Sequence, residues 1–99
     1  MNFKQSCVYM MASGRNGTLY IGVTSNLIQP IHQHRSDAVP GFTRRYKVHD
    51  LVWYELHVEM ASAILREKQL RKWSRTAKIC TIEKVNPQWL DLWSELLDC

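Results

Sequence analysis

The chain has no apolar run approaching the roughly 20 residues that cross a bilayer, and its first residues, Met1-Asn2-Phe3-Lys4-Gln5, lack the charged and then apolar regions of a signal peptide. The expectation is a soluble, cytoplasmic protein with no membrane partner. Cysteine is sparse: Cys7, Cys80 and Cys99 are odd in number, widely spaced and without C-x-x-C. That argues against both a disulfide framework and a four-thiolate zinc site, so the thiols are read as reduced, with Cys7 and Cys80 in the core. No internal repeat, low-complexity segment or linker divides the sequence. A nucleophile motif, a phosphate loop and a dinucleotide fingerprint are all missing. The four His are scattered, and His32-x-His34 cannot share a helix face, which leaves a zinc site little support.

What is present is 99 residues, 45% hydrophobic and 22% charged, the size and balance of one domain spanning 1–99 with a core of about 5–97. A chain this short buries only about 60 to 65% of its unfolded surface, so its four Trp and four Tyr are needed for the core. The net charge of +4 is unevenly spread. Lys and Arg outnumber Asp and Glu six to one over residues 1–47 and six to four over 48–80, then fall to one against four over 81–99. Arg66, Lys68, Arg71, Lys72, Arg75 and Lys78 surround the single acid Glu67. Such asymmetry fits a phosphate-bearing partner; a solvated helix face is the alternative.

Cys7-Val8-Tyr9-Met10-Met11 and Thr18-Leu19-Tyr20-Ile21-Gly22-Val23 are β-type runs around a segment containing Asn16-Gly17, a strong hairpin signal. A two-residue turn at Asn16-Gly17 places Tyr9 opposite Thr24, whereas a four-residue loop over Ser13–Asn16 places it opposite Tyr20. Both registers put Tyr9 and Tyr20 on one face. Ser25-Asn26 is a helix N-cap signal, and Pro30 requires the following helix to start near it or to distort in its first turn. Leu51–Leu56 reads as a third strand. Glu59–Trp73 is helical, and Ser74-Arg75-Thr76 allows a kink or a new start before a helix through about Lys84. Asn86-Pro87 opens a last helix with Trp89, Leu92, Trp93, Leu96 and Leu97 as its apolar stripe. The order is ββαβααα, an α+β fold.

At 100° per residue, Met60, Ala63, Ile64, Leu70 and Ser74 fall on one arc with Glu67 in its middle and Arg71 beside it. A carboxylate centred on a buried face is costly unless paired or bound to a cation. It is therefore either an i,i+4 partner of Arg71 or a ligand for a divalent ion. Two tyrosines on one hairpin face are, taken alone, ordinary packing.

Cys7-Val8-Tyr9, ten residues, Tyr20-Ile21-Gly22, then Thr24-Ser25-Asn26-Leu27, His34, Gly41-Phe42-Thr43, Leu51-Val52-Trp53-Tyr54-Glu55, Arg66–Trp73 and Asn86-Pro87-Gln88-Trp89 resemble the GIY-YIG nuclease superfamily, in particular its small stand-alone bacterial single-domain members. The resemblance runs over residues 7 to about 97. It implies a three-stranded antiparallel sheet flanked by helices and metal-dependent hydrolysis of DNA phosphodiesters, with Mg²⁺ or Mn²⁺ held by Glu67. Tyr9 and Tyr20 would position or activate water, and His34 would assist proton transfer or contact phosphate. Asn86 would cap locally or border the site. Arg35, Arg44, Arg45, Arg66, Arg71 and Lys72 are the expected nucleic-acid-binding cations. DNA, nicked or branched, is the expected partner, with RNA left open and no protein partner indicated.

Two positions depart from the family pattern. Cys7 replaces a Gly, and Pro30 stands where the family places its catalytic Arg. Proline has neither the charge nor the forked donors that stabilise a pentacovalent phosphate, so the implied activity is weak or impaired. A non-catalytic nucleic-acid-binding or adaptor module that keeps the fold is the alternative, and a structural domain with Glu67 neutralised by Arg71 is a third.

Overall fold

The computed structural model describes residues 5–35, 41 and 45–97. The β-type runs form β1 (Cys7–Ala12) and β2 (Leu19–Thr24), followed by α1 (Ile28–Arg35) and β3 (Asp50–Leu56). Three helices follow: α2 (Met60–Lys72), α3 (Arg75–Val85) and α4 (Trp93–Leu97). The strands make an antiparallel sheet in the order β2-β1-β3. The ββαβααα order and the α+β class are those read from the sequence.

The hairpin takes neither expected register. Ala12 pairs with Leu19, Met11 with Tyr20 and Tyr9 with Gly22. Ser13 N–H donates to Thr18 O at 3.0 Å, Thr18 N–H donates to Ser13 Oγ at 2.9 Å, and Gly17 N–H donates to Gly14 O at 2.9 Å. Arg15 and Asn16 are thus the central residues of a Gly14–Gly17 turn, in which only Asn16 adopts a left-handed backbone, with φ 57°. A two-residue turn of the favoured hairpin type requires positive φ at both central positions. A remote side chain holds the turn: Arg75 Nη2 donates to Asn16 O and to Gly17 O, both at 2.6 Å. The observed pairing lies two residues from each alternative, so the parity is kept and Tyr9 and Tyr20 share a face as diagonal neighbours.

β1 is buried along its whole length because helices cover both faces of the sheet. On one face Val8, Met10, Ala12, Ile21, Val52 and Trp53 pack with Ala63 and Leu70 of α2, Ile82 of α3, and Trp89. On the other, Cys7, Tyr9, Met11 and Leu51 pack with Leu27, Ile31 of α1, and Val48. A bulge opposite Met10/Met11 leaves Val52 as the extra residue and sends both Val52 and Trp53 to the first face, as bulges do. Cys80, expected in the core, is exposed on α3.

Pro30 sits third in α1, within the first turn, where its missing N–H is one of the donors a helix leaves unpaired anyway. The α2–α3 junction is a new start: Ser74 is the N-cap of α3, its side chain accepting from Ala77 N–H. The last helix is shorter than expected, because Asn86-Pro87 ends α3 instead of opening a helix. Asn86 is the C-cap of α3 and accepts a turn hydrogen bond from Trp89 N–H at 3.1 Å. Trp89 then takes a left-handed backbone, with φ 57°, and its indole Nε1 donates to Glu83 Oε2 at 2.8 Å. Burial of that indole and its hydrogen bond outweigh the local helix signal.

The segment after α3 covers the outer edge of β3. Leu92 N–H donates to Leu51 O at 2.7 Å, Leu51 N–H donates to Asp91 Oδ1 at 3.1 Å, and Asn86 Nδ2 donates to Val52 O at 3.0 Å. An exposed strand edge invites pairing with another chain, and here backbone and side-chain groups of residues 86–92 occupy it. No helix among the described residues is long and apolar enough to cross a membrane.

Candidate active site

Tyr9 and Tyr20 stack at a ring-centroid separation of 6.2 Å with 42° between their planes. Their environments differ. Tyr9 is buried, at 3% exposure, whereas Tyr20 is half-buried on the edge strand. Burial raises the Tyr9 phenol above its ordinary range, and the adjacent Tyr20, hydrogen-bonded to it, raises it further. Tyr9 is therefore a neutral hydroxyl at physiological pH and lies behind Tyr20. Gly22 makes this possible: a Cβ at that position would lie 2.4 Å from both Cζ and Oη of Tyr9. Glycine within a strand marks such a close approach, and that signal in Tyr20-Ile21-Gly22 had no role assigned to it in the sequence reading.

Glu67 is buried on α2 together with Ala63 and Leu70, a narrower arc than expected, with Ile64 and Ser74 outside it. Its carboxylate is paired with Arg71, one turn on. The pair is lopsided: the Glu67 side chain is 8% exposed and that of Arg71 63%. Arg71 Nε contacts Glu67 Oε1 directly, and among the described residues no other group bonds that buried oxygen. Unsatisfied carboxylate oxygens at low dielectric are unstable unless a cation is near.

The Tyr20 and Arg71 sides of the molecule meet in a cleft of about 290 Å³ lined by Leu19, Tyr20, Ile21, Arg71 and Lys78. α2 packs across β2 and β1, which brings the Glu67–Arg71 turn to the β2 edge. Lys78, one turn into α3, adds a second cation. Sequence reasoning counted Lys78 in the basic run but did not place it at the site.

The other expected site residues scatter. Arg66 donates from Nε to Glu55 Oε1 at 3.1 Å and lies 5.1 Å from the Trp73 ring centroid. Glu55 Oε1 also contacts His57 Nε2 at 2.7 Å, so Arg66 is committed to the β3 side. Asn86 is buried and bonded to Val52 and Leu90 through both ends of its amide, bracing β3. Arg45 is exposed with its guanidinium 5.5 Å from the Tyr46 ring, and Lys72 is exposed. Arg44 lies outside the described residues, and of His34 and Arg35 only the backbone, in α1, is described. Cys7 is fully buried on β1, where burial pushes its thiol up to about 12, against a lowering hydrogen bond from the Glu55 backbone.

The fold and site define an α+β domain with a cleft at its β2 edge lined by Tyr20 and two cations, one of which pairs with a buried carboxylate. The model of the GIY-YIG catalytic domain matches residues 5–80, and the chain belongs to the GIY-YIG family. This is a nuclease-type family acting on nucleic acid and generally dependent on divalent metal. No curated protein and no solved structure matches the chain. The described residues contain no cluster of three or more His, Cys, Asp or Glu able to hold a metal. Glu67, whose buried Oε1 Arg71 Nε contacts, would be the carboxylate to hold a hard cation such as Mg²⁺ in place of that guanidinium, since Mg²⁺ is commonly held by one or two carboxylates plus substrate phosphate.

Proposed function

We propose that this chain is a DNA endonuclease that hydrolyses a phosphodiester in the cleft at the β2 edge, with Mg²⁺ or Mn²⁺ at Glu67. The observation that carries this reading is the buried Glu67 carboxylate, contacted by Arg71, which itself shares a cleft with Tyr20. A divalent ion held by Glu67 would supply positive charge to the scissile phosphate. The Tyr20 hydroxyl orients the attacking water, and the neutral Tyr9 phenol holds Tyr20 in place through their hydrogen bond. His34 takes part in proton transfer or phosphate contact. Nicked or branched DNA in the cytoplasm is the expected substrate.

Cleavage is slow, because Pro30 puts no charge at the α1 position where the family places an arginine. Loss of one preorganised donor of that kind costs on the order of 10²- to 10³-fold. Incubation of the purified protein with nicked, branched and single-stranded DNA in Mg²⁺ or Mn²⁺ tests the reading, with Glu67→Ala abolishing cleavage. A second reading, a nucleic-acid-binding module without catalysis, draws on the Arg71 guanidinium already neutralising Glu67. It requires DNA affinity that falls steeply with salt and is indifferent to metal.

A further inference from the structure

We propose that Arg71 and Lys78, contributed by two successive helices, form a phosphate clamp at the β2 edge beside Tyr20, and that Arg71 alternates between Glu67 and a non-bridging phosphate oxygen. The proposal deepens the nuclease reading and rests on it. It concerns where the positive charge of the site comes from when α1 supplies none in its first turn.

The fold brings these cations together by a traceable route. In one unbroken helix, residues 71 and 78 would lie about 10 Å apart along the axis. The Ser74 cap instead ends one helix and begins another. The start of α3 is fastened to the hairpin turn by the two hydrogen bonds from Arg75 to Asn16 O and Gly17 O. That attachment sets the first turn of α3 beside the start of β2, and Lys78 and Arg71 line one cleft with Tyr20. Two other cations of the run are spoken for: Arg66 by Glu55 and Trp73, Arg75 by the turn carbonyls.

Arg71 differs from those two in how loosely it is held. Its side chain is 63% exposed while its partner carboxylate is 8% exposed, so of the two only the cation has open solvent beside it. Because the Glu67 anion is buried, Arg71 can leave it only when another cation takes its place there. When Glu67 takes a divalent ion, Arg71 loses its anion and faces the cleft with an unpaired fork of donors suited to phosphate. Arg71 and a metal ion therefore compete for Glu67, while Arg71 and Lys78 cooperate on phosphate.

Three measurements on the full chain test this: Mn²⁺ titration calorimetry without DNA, the salt dependence of binding to a nicked duplex, and its cleavage. Arg71→Ala tightens Mn²⁺ binding several-fold, lowers the slope of log K against log salt by about 0.9, and slows cleavage by 10²-fold or more. Lys78→Ala leaves Mn²⁺ binding unchanged but lowers the same slope by a similar amount. Arg71→Lys restores part of the salt slope. Lys84→Ala, which removes an equal charge from an exposed position outside the cleft, changes none of the three. Circular dichroism confirms that each variant is folded.

If wild type binds and cleaves while Arg71→Ala and Lys78→Ala keep its salt slope and rate, the clamp is wrong and the nuclease reading survives. Unchanged Mn²⁺ affinity in Arg71→Ala overturns the alternation. If wild type binds DNA without cleaving and both variants lower the slope, the clamp stands and catalysis does not. A wild type that neither binds nor cleaves DNA overturns both.

Discussion

Gly22→Ala should destabilise the protein through one identifiable collision. The added Cβ lies 2.4 Å from Cζ and Oη of Tyr9 and 2.8 Å from Cε1, inside van der Waals contact. These atoms end a rigid ring that is 3% exposed and packed among Cys7, Met11, Leu27 and Leu51, so the ring can yield only by displacing its neighbours. Overpacking of this kind costs about 1–3 kcal/mol, and the gain from removing a strand glycine returns about 0.5–1 kcal/mol. The net loss is about 0.5–2 kcal/mol, a fall in Tm of several degrees for a domain of this size. Tyr9→Leu removes the colliding atoms, so in that background Gly22→Ala becomes neutral or mildly stabilising. Urea unfolding of the four proteins in the cycle gives a coupling equal to the overpacking cost, about 1–3 kcal/mol. An equal cost of Gly22→Ala in both backgrounds would refute the reasoning.

Three further outcomes are expected. Cys7 and Tyr9 both have folded-state pKa values raised by burial, so the folded chain holds more protons than the unfolded chain above the ordinary thiol and phenol values. Their contribution is complete below about pH 9 and decays on the alkaline side by up to ~1.4 kcal/mol per pH unit per group, and denaturant melts from pH 8 to 11 should show Cys7→Ala flattening the first part of that loss. Asn86→Ala removes a buried amide that serves Val52 O and both backbone groups of Leu90, which should cost about 2–4 kcal/mol in urea melts. Pro30→Arg should accelerate cleavage of nicked DNA, by less than the full 10²- to 10³-fold of one donor because Arg71 and Lys78 already bring charge.

The element order, the shared face of Tyr9 and Tyr20, the burial of Glu67 and its pairing with Arg71 were all legible, because each follows from a period of 2.0 or 3.6 residues. The hairpin register was not, since a side chain 58 and 59 positions away bonds the turn carbonyls. The role of Asn86-Pro87 was hidden for a similar reason: a local helix-start signal is overridden by a buried tryptophan and the β3 edge. The basic run read as one surface, but the structure divides it between the Glu55–Trp73 side, the hairpin turn and the Tyr20 cleft. Lys78 entered the site only once the helix break at Ser74 and the Arg75 attachment were seen. Tyr9 showed its motif but not its depth, which depends on the missing Cβ of Gly22.

The central claim is that Glu67 serves phosphodiester chemistry through a divalent ion and is not merely a partner of Arg71. Cleavage of nicked and branched DNA by wild type and Glu67→Gln, with Mn²⁺ and with chelator, tests it most directly. The account predicts slow, metal-dependent cleavage by wild type and none by folded Glu67→Gln. Equal cleavage by the two proteins, or wild-type cleavage undiminished by chelator, would contradict it.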